Sequence, residues 1–511
     1  SMPDQRVVVV GAGVAGLVSA LELSRLGLNV TVIDRADAPG GKLHAESVDG
    51  HAIDSGPTVF TMRWVFDELM HGLGRRLDRE LTLTPLSVLA RHFWTDGSSL
   101  DLFADPLASE SAVEAFAGPD EALRFRQFCD HTRELYGVMD SSFIRSQLKS
   151  LPGFMAALGP RGLSLLARMG PMKTLWSSLE QRFTDPRLRQ LFARYATYCG
   201  SSPLQAPATL SLIAQVEMDG VWTVEGGMQE LIRCLTRLCK EQGVRFICPA
   251  HCDQILVRDG RVVGVSLDTQ EQLLADRVVF NGDTAALREG LLGKPAQRAV
   301  ASAAPQRSLS AVTWCIRTPT RGLRLDRHNL FFQSNYADEF HDIFEHQRLP
   351  RRPTVYLCAQ DRPSAQADIG AERLLCLVNA PANGDVSELS EQALSDCESQ
   401  VLSAVKHCGL DFELTPHNHV RNTPRHFHRR FPGTGGALYG QATHGWMSIF
   451  SRPGAISPIP GLFLSGGSVH PGPGVPMAAM SGRLAAAAVR ASLGSIKSSP
   501  VGATSGGMST P

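Results

Sequence analysis

The chain has 511 residues, 43% hydrophobic and 20% charged, an ordinary globular composition that, at about 150 residues per domain, suggests two or three domains. Fifty basic residues balance fifty acidic ones, which argues against a nucleic-acid protein, because a polyanion requires a concentrated basic surface. No run of about 18 apolar residues occurs, so no transmembrane helix is expected.

The opening segment is the most informative. Val7-Val8-Val9-Val10 is a short, wholly apolar β-branched run that predicts a buried strand. Gly11-Ala12-Gly13-Val14-Ala15-Gly16 follows, and Leu17, Ala20, Leu21 and Leu23 then recur at helical spacing up to Gly27. A second run, Val30-Thr31-Val32-Ile33, ends at Asp34. Strand, glycine turn, helix, strand and acid together predict a parallel βαβ unit.

The chain next turns through Ala38-Pro39-Gly40-Gly41-Lys42 and Asp54-Ser55-Gly56-Pro57-Thr58. From about 66 to 224 the pattern is mostly helical, with few strands. Glu225-Gly226-Gly227-Met228 opens an amphipathic helix to about Gln242. Strands are expected at Val244–Ile247, Gln254–Val257, Arg261–Leu267 and Arg277–Phe280, with a hairpin at Arg258-Asp259-Gly260. Further strands are expected near 311–316, 354–359 and 373–379. Leu462-Phe463-Leu464 then runs into Gly466-Gly467, a proline-glycine loop and an Ala-rich helix over about 477–492. Residues 493–511, rich in Ser, Gly, Thr and Pro, are expected to be a disordered tail.

The 11 cysteines are odd in number and form no CxxC pair. A disulfide framework, a zinc site or any other metal centre is therefore not expected, and a reducing compartment fits.

The three glycines of the first turn have separate tasks. Gly11 permits the tight turn, Gly13 lets backbone N–H groups approach a pyrophosphate, and Gly16 lets helix and strand pack closely. The helix that begins there offers unpaired N–H donors and the positive end of its dipole. Asp34, eighteen residues beyond Gly16, stands where it can accept both ribose hydroxyls and would repel a 2′-phosphate. Two features favour FAD over NAD. Pro39-Gly40-Gly41-Lys42 adds glycines and a cation just past the acid, and His470-Pro471-Gly472-Pro473-Gly474-Val475-Pro476-Met477 aims a second helix N-terminus at something anionic.

With these residues the chain resembles the FAD-dependent carotenoid desaturases of the bacterial phytoene desaturase type, within the flavin amine oxidase superfamily. The marks are the glycine turn, Pro39–Lys42, Asp54–Thr58, Gly226-Gly227-Met228, Ala275–Asp283 and His470–Gly474. Inside that family it looks most like the 1-hydroxycarotenoid 3,4-desaturases (methoxyneurosporene dehydrogenases) of photosynthetic bacteria, on the segments Leu89–Phe103, Arg194–Tyr198 and Ser308–Ala311.

The resemblance implies an α/β fold: a Rossmann-like FAD-binding domain assembled from 1–65, 225–290 and 455–492. A mixed α+β substrate domain, 66–224 and 291–454, would carry a helical membrane-facing part. It implies that Asp34 holds the adenosine ribose, where the family usually has Glu. Gly41, Lys42, Pro57 and Thr58 would lie along the diphosphate-to-flavin stretch, and the backbone of Cys252 would pair with adenine. Asn281 and Gly467 would also line the site, and Val475, Pro476 and Met477 would open the helix facing the flavin.

The expected reaction is desaturation of a 1-hydroxy acyclic carotenoid such as 1-hydroxyneurosporene, by hydride transfer to flavin N5 and loss of a proton from the neighbouring carbon. His470 is the candidate catalytic group, and Arg194, Tyr195 and Tyr198 are candidates to line the substrate tunnel or read a tertiary hydroxyl. A general phytoene desaturase, a carotenoid isomerase and, outside this family, a flavin amine oxidase are the alternatives. With a single nucleotide fingerprint, the flavin's reoxidant is expected to be external, oxygen or a quinone. So apolar a substrate is reached from a membrane, and Leu151–Leu179 interleaves apolar side chains with Arg161, Arg168 and Lys173 as an interfacial helix would. A cytoplasmic protein attached peripherally to the inner membrane is expected.

Overall fold

The computed structural model describes residues 4–364, 366 and 369–506, with side chains as far as residue 494. Two sheets organise the chain. The first has five parallel strands in the order Leu462–Leu464, Arg277–Phe280, Arg6–Val10, Asn29–Ile33, Arg245–Ile247. The valine run lies at its centre, with Val7, Val8 and Val9 no more than 3% exposed, as a strand covered on both faces requires. Three remote stretches of sequence therefore meet in one sheet. A meander of Cys252–Arg258, Arg261–Leu267 and Gln272–Leu274 leans on it, and its first turn holds Asp259 and Gly260 at φ +54° and +74°, the geometry of a two-residue hairpin.

The helix Val14–Arg25 leaves the glycine turn with Leu17, Leu21 and Leu23 fully buried. It packs against Gln229–Glu241, whose Leu231, Leu235 and Leu238 form the apolar stripe. On its other flank the C-terminal helix passes so closely that Ser19 Oγ donates to the Gly482 carbonyl at 2.8 Å.

The second sheet has seven strands in the order His419–Asn422, Ser310–Thr318, Glu372–Ala380, Val355–Ala359, His328–Phe332, Val88–Trp94, Ser99–Phe103. All neighbours are antiparallel except the parallel pair His328–Phe332 and Val88–Trp94. One face, with Val312, Trp314, Phe331 and Leu357, packs on the helix Glu391–His407. The other, with Trp94, Leu330, Phe332 and Tyr356, meets the helices between 119 and 218.

The mostly helical 66–224 stretch also supplies two of the few strands expected there, Val88–Trp94 and Ser99–Phe103, to the seven-stranded sheet. One expectation is corrected. The last helix spans Val475–Gly506 rather than 477–492: once started, each added residue gains a hydrogen bond for one pair of dihedrals. The expected disordered tail, 493–511, is thus helical as far as Gly506, and 507–511 lie outside the described residues. Among the described residues no helix is long and apolar enough to cross a membrane.

Candidate active site

The glycine turn is built at the carboxyl end of the first strand. Gly11 takes φ +108° and its carbonyl accepts from Asn281 Nδ2 at 3.3 Å. Asn281 closes the neighbouring strand, its N–H donating to the Val10 carbonyl at 2.7 Å. Gly41, at φ +60°, faces Gly13 across the turn.

Asp34 ends the second strand half-buried. Its Oδ2 accepts from the Ala12 N–H at 2.7 Å and its Oδ1 from the Ala36 N–H at 2.8 Å. Each carboxylate oxygen has two lone-pair directions, so an acceptor remains on each for a ribose hydroxyl. The Asp34 carbonyl accepts from the Ala250 N–H at 2.6 Å, bringing the 247–252 segment alongside. Cys252 is buried there, with Sγ 3.3 Å from the Gln254 carbonyl and burial pushing its thiol up to about 12. A thiol held neutral at ordinary pH leaves only its backbone for recognition.

Lys42 lies beside this groove. Its Nζ donates to the Leu438 carbonyl at 2.6 Å and stands over the Phe431 ring at 5.6 Å. Burial pushes its ammonium down; Asp283 opposes that, while Arg452 and Arg430 add to it. Arg430 Nη2 donates to the Gly41 carbonyl at 2.7 Å. Arg452 is buried, donating to the carbonyls of Tyr439, Gly467 and Gln441 at 3.0, 3.1 and 2.9 Å. The groove is thus rimmed by three cations, each anchored by backbone carbonyls, and they set a positive field for an anion.

The turn Asp54–Thr58 is tied to this rim by the Ser55 N–H, 2.8 Å from the His44 carbonyl. Pro57 is half-buried, and the buried Thr58 Oγ1 lies 2.8 Å from the Tyr356 hydroxyl. Opposite, Gly474 accepts from the Ala478 N–H at 2.8 Å. The N–H groups of Val475 and Met477 therefore precede the first intrahelical bond, and Pro476 has none to satisfy.

A dinucleotide fits this frame. A Cβ built at Gly13 would meet protein only on one side, Asn281 Nδ2 at 3.4 Å and Gly41 Cα at 3.7 Å, so the other side of the turn is open. At Gly16 a Cβ would lie 2.0 Å from the Gly11 carbonyl oxygen, which only glycine permits.

His470 is 2% exposed. Its Nε2–H donates to the Ser146 carbonyl at 2.8 Å, its own N–H donates to the Pro453 carbonyl, and its ring stands edge-on to Phe143 at 4.5 Å. Burial holds the imidazole below its usual range, and Nδ1 is enclosed with no partner among the described residues. The ring is thereby fixed to the Asp140–Ile144 turn and the loop before it.

Arg194, Tyr195 and Tyr198 come together in the 3-10 segment Arg194–Cys199. Arg194 Nη1 donates to the Tyr198 hydroxyl at 3.2 Å, and its guanidinium lies over the Tyr198 and Tyr356 rings at 5.2 and 5.5 Å. Arg194 and Tyr198 sit deep in the molecule yet keep accessible surface, so they border an internal void. Tyr439 does the same, and it follows directly on the Leu438 that holds Lys42. On the sheet side His328 Nδ1 lies 2.6 Å from the Tyr356 hydroxyl, with burial pushing that histidine down to about 3. The groove and the Arg194 cluster thus share a wall made by Thr58, Tyr356 and Tyr439.

Sequence reasoning missed Arg430, Arg452, Tyr356, His328, Tyr439 and Glu217. No local spacing in the sequence marks them, and Arg430 and Tyr356 meet Gly41 and Thr58 from far along the chain.

A nucleotide cradle with an acid on its second strand, facing a separate sheet across an enclosed polar void, defines an FAD-dependent oxidoreductase. Comparison with known proteins refines this. Residues 14–490 match the flavin containing amine oxidoreductase family, and the chain belongs to it. It is 54% identical over 508 residues to a hydroxyneurosporene desaturase of Rubrivivax gelatinosus, covering 99% of this chain and 97% of that one. It is 42% identical over 493 residues to the hydroxyneurosporene desaturase of Cereibacter sphaeroides, covering 96% and 98%. A 1-hydroxycarotenoid 3,4-desaturase of a Flavobacterium species is 30% identical over 487 residues, with 94% and 98% covered. Among solved structures, putrescine oxidase bound to putrescine superposes with a TM-score of 0.61 at 14% identity, covering 95% of this chain and 99% of that one, a likeness of fold alone.

Proposed function

We propose that the protein is an FAD-dependent carotenoid desaturase that introduces the 3,4 double bond into a 1-hydroxy acyclic carotenoid such as 1-hydroxyneurosporene. The observation that carries this reading is the Arg194 cluster on the wall shared with the cofactor groove. In such a substrate the hydroxyl on C1 is a near neighbour of the reacting C3–C4 bond. A reader of that hydroxyl must therefore stand beside the flavin and not at the far end of a tunnel. Arg194 has five N–H donors and one hydrogen bond to Tyr198, with surface open to the void. Arg194 and Tyr198, backed by Tyr195, are the residues to hold the hydroxyl.

In this reading 1–65, 225–290 and 455–492 form the FAD-binding unit, and 66–224 with 291–454 the substrate unit, in keeping with the strands each sheet draws on. Gly11, Gly13 and Gly16 hold the pyrophosphate, Asp34 the ribose and the Cys252 backbone the adenine. Gly41, Lys42, Pro57, Thr58, Asn281 and Gly467 line the way to the ring, and Val475, Pro476 and Met477 present the helix start to it. FAD, when bound, supplies the hydride acceptor. The chain's own part is to orient the polyene, exclude water and receive the proton. His470 is retained as a support of the ring-facing loop, given its fixed ring.

The substrate is reached from a membrane surface, and the cytoplasmic protein attaches to the inner membrane through 151–173. Helix Leu151–Met169 bends at Gly159 and Pro160, burying Phe154 and Leu165. Met155, Leu163 and Met172 are left exposed at 44%, 38% and 75%, beside Arg161 and Arg168. The final electron acceptor is external, oxygen or a quinone.

The test is incubation of the FAD-loaded protein with 1-hydroxyneurosporene in phosphatidylcholine liposomes, followed by absorption spectrum and product mass. A red shift with loss of two hydrogens is expected. Unchanged 1-hydroxyneurosporene beside turnover of phytoene would make it a general desaturase, and a changed spectrum at unchanged mass an isomerase.

A further inference from the structure

Ten large apolar side chains stand exposed among the described residues, and Trp446, at 48%, is the only aromatic one. It sits in the turn 445–450, which three hydrogen bonds hold in shape. The Gly445 N–H donates to the Gln205 carbonyl at 2.9 Å, the Ser448 hydroxyl to the Gly445 carbonyl at 2.6 Å, and the Phe450 N–H to the Met447 carbonyl at 3.0 Å. The root of the turn is aromatic. Phe450 packs on Phe154 of the bent helix Leu151–Met169 at 4.9 Å and on Phe143 at 6.0 Å, and Phe143 meets Phe154 edge-on at 6.2 Å. A Cβ built at Gly454 would stand 3.2 Å from the Leu148 Cβ, so the chain leaving the turn runs against the approach to the same helix. Trp446 is therefore carried on the same packed knot as the exposed Met155, Leu163 and Met172.

Charge marks this face as well. No aspartate or glutamate occurs between Asp140 and Glu180, where Arg145, Lys149, Arg161, Arg168 and Lys173 fall, and none occurs after Glu413. Arg145 pairs with Glu68 and Asp140 at 2.7 and 2.8 Å, and Arg168 with Glu134 at 3.3 Å. Lys149 and Lys173 donate instead to uncharged groups, the Ser142 carbonyl and the Gln181 amide oxygen, and Arg161 is exposed. Among the described residues none of these three has a carboxylate within ion-pair distance. Two stretches remote in sequence thus form one surface, apolar at its tips and positive between them.

We propose that the Trp446 turn is a second membrane contact, which together with the bent helix seats the protein on a bilayer of anionic phospholipid. This rests on the reading that the protein attaches through 151–173. An indole joins a large apolar body to a single N–H donor, which suits the boundary between headgroups and acyl chains. Lys149, Arg161 and Lys173 supply the attraction to lipid phosphates. One amphipathic segment gives a weak and reversible hold, whereas two on one body bind as a linked pair. Two contacts also fix the tilt of the molecule. Phe143, in the knot between them, stands edge-on to His470 at 4.5 Å. The seat therefore turns the His470 loop toward the bilayer that holds the carotenoid.

FAD-loaded wild type, Trp446→Phe and Trp446→Asp are mixed with vesicles of phosphatidylcholine alone or with phosphatidylglycerol, with and without bromine on the acyl chains. Flotation reads binding, and quenching of tryptophan emission by bromine reads contact. The other tryptophans, Trp64, Trp94, Trp176, Trp222 and Trp314, are buried or half-buried, so the quenching lost in Trp446→Phe belongs to Trp446. Wild type is expected to bind the anionic vesicles about 10–100-fold more tightly than phosphatidylcholine alone, an advantage that concentrated salt removes. Trp446→Phe still binds but loses the quenching. Trp446→Asp binds about 10–100-fold more weakly, and both variants keep the FAD content and far-ultraviolet dichroism of the wild type. Wild-type quenching no greater than in Trp446→Phe, or equal binding to the two kinds of vesicle, would overturn this inference and leave attachment through the helix standing. A wild type that floats with no vesicle would overturn the attachment reading and this inference with it. A dimer in sedimentation that Trp446→Asp dissociates, without bromine quenching, would give the turn to a second copy of the chain instead.

Discussion

In a Gly13→Ala variant the added methyl would stand 3.4 Å from Asn281 Nδ2 and 3.7 Å from Gly41 Cα, ordinary contacts that displace nothing. Gly13 lies at φ −76°, ψ −177°, extended backbone that alanine adopts freely. The folded apoprotein should therefore be as stable as wild type, or more stable by about 0.4–1 kcal/mol from the stiffer unfolded chain. The same methyl projects from the turn that carries the N–H groups for the pyrophosphate. Losing two charge-assisted hydrogen bonds there costs about 3–6 kcal/mol, a fall of roughly 10²–10⁴ in FAD affinity. Gly16→Ala is the opposite case: its Cβ would lie 2.0 Å from the Gly11 carbonyl oxygen. The helix must then move off the strand, at about 1–3 kcal/mol or more of stability. Calorimetric titration of each apoprotein with FAD, beside thermal unfolding without it, separates the two. Folded Gly13→Ala protein that takes up FAD at wild-type affinity would show that the turn is not the pyrophosphate cradle.

Three further outcomes are expected. Asp34→Ala removes both the ribose acceptor and the partner of the Ala12 and Ala36 N–H groups, so it should purify largely colourless; full flavin content would refute the ribose assignment. Burial pushes His92 and His328 down to about 4 and 3, so unfolding takes up a proton at each once the pH drops below about 6.5. Stability held at pH 7 is then lost as the pH falls below 6.5, by about 2.5 kcal/mol per pH unit near pH 5 from these two alone; urea denaturation of wild type against His92→Asn should show a shallower pH slope in the variant. Met155→Asp with Leu163→Asp, both on the exposed strip of the bent helix, should abolish flotation with anionic liposomes while leaving the far-ultraviolet dichroism and FAD content intact.

The sequence alone determined whatever depends on neighbours a few residues apart. Four β-branched valines, three glycines at fixed offsets and an acid after the next apolar run specify strand, turn, helix and strand, because residue type and spacing set which backbone conformation each short piece prefers. Gly159-Pro160 breaks a helix wherever it stands, and Asp259-Gly260 turns a hairpin. Tertiary structure alone decided which distant groups share a wall. Lys42 meets Leu438, Thr58 meets Tyr356, and Arg194 lies over the Tyr356 ring, each pair more than a hundred residues apart in sequence. Val88–Trp94 becomes a strand because His328–Phe332 offers it a parallel edge. Glu217 reads in sequence as one more surface acid. Only the closing of the helix Leu212–Met218 onto Arg194–Cys199 takes it out of water, and a carboxyl's chemistry follows from its solvation rather than from its spacing.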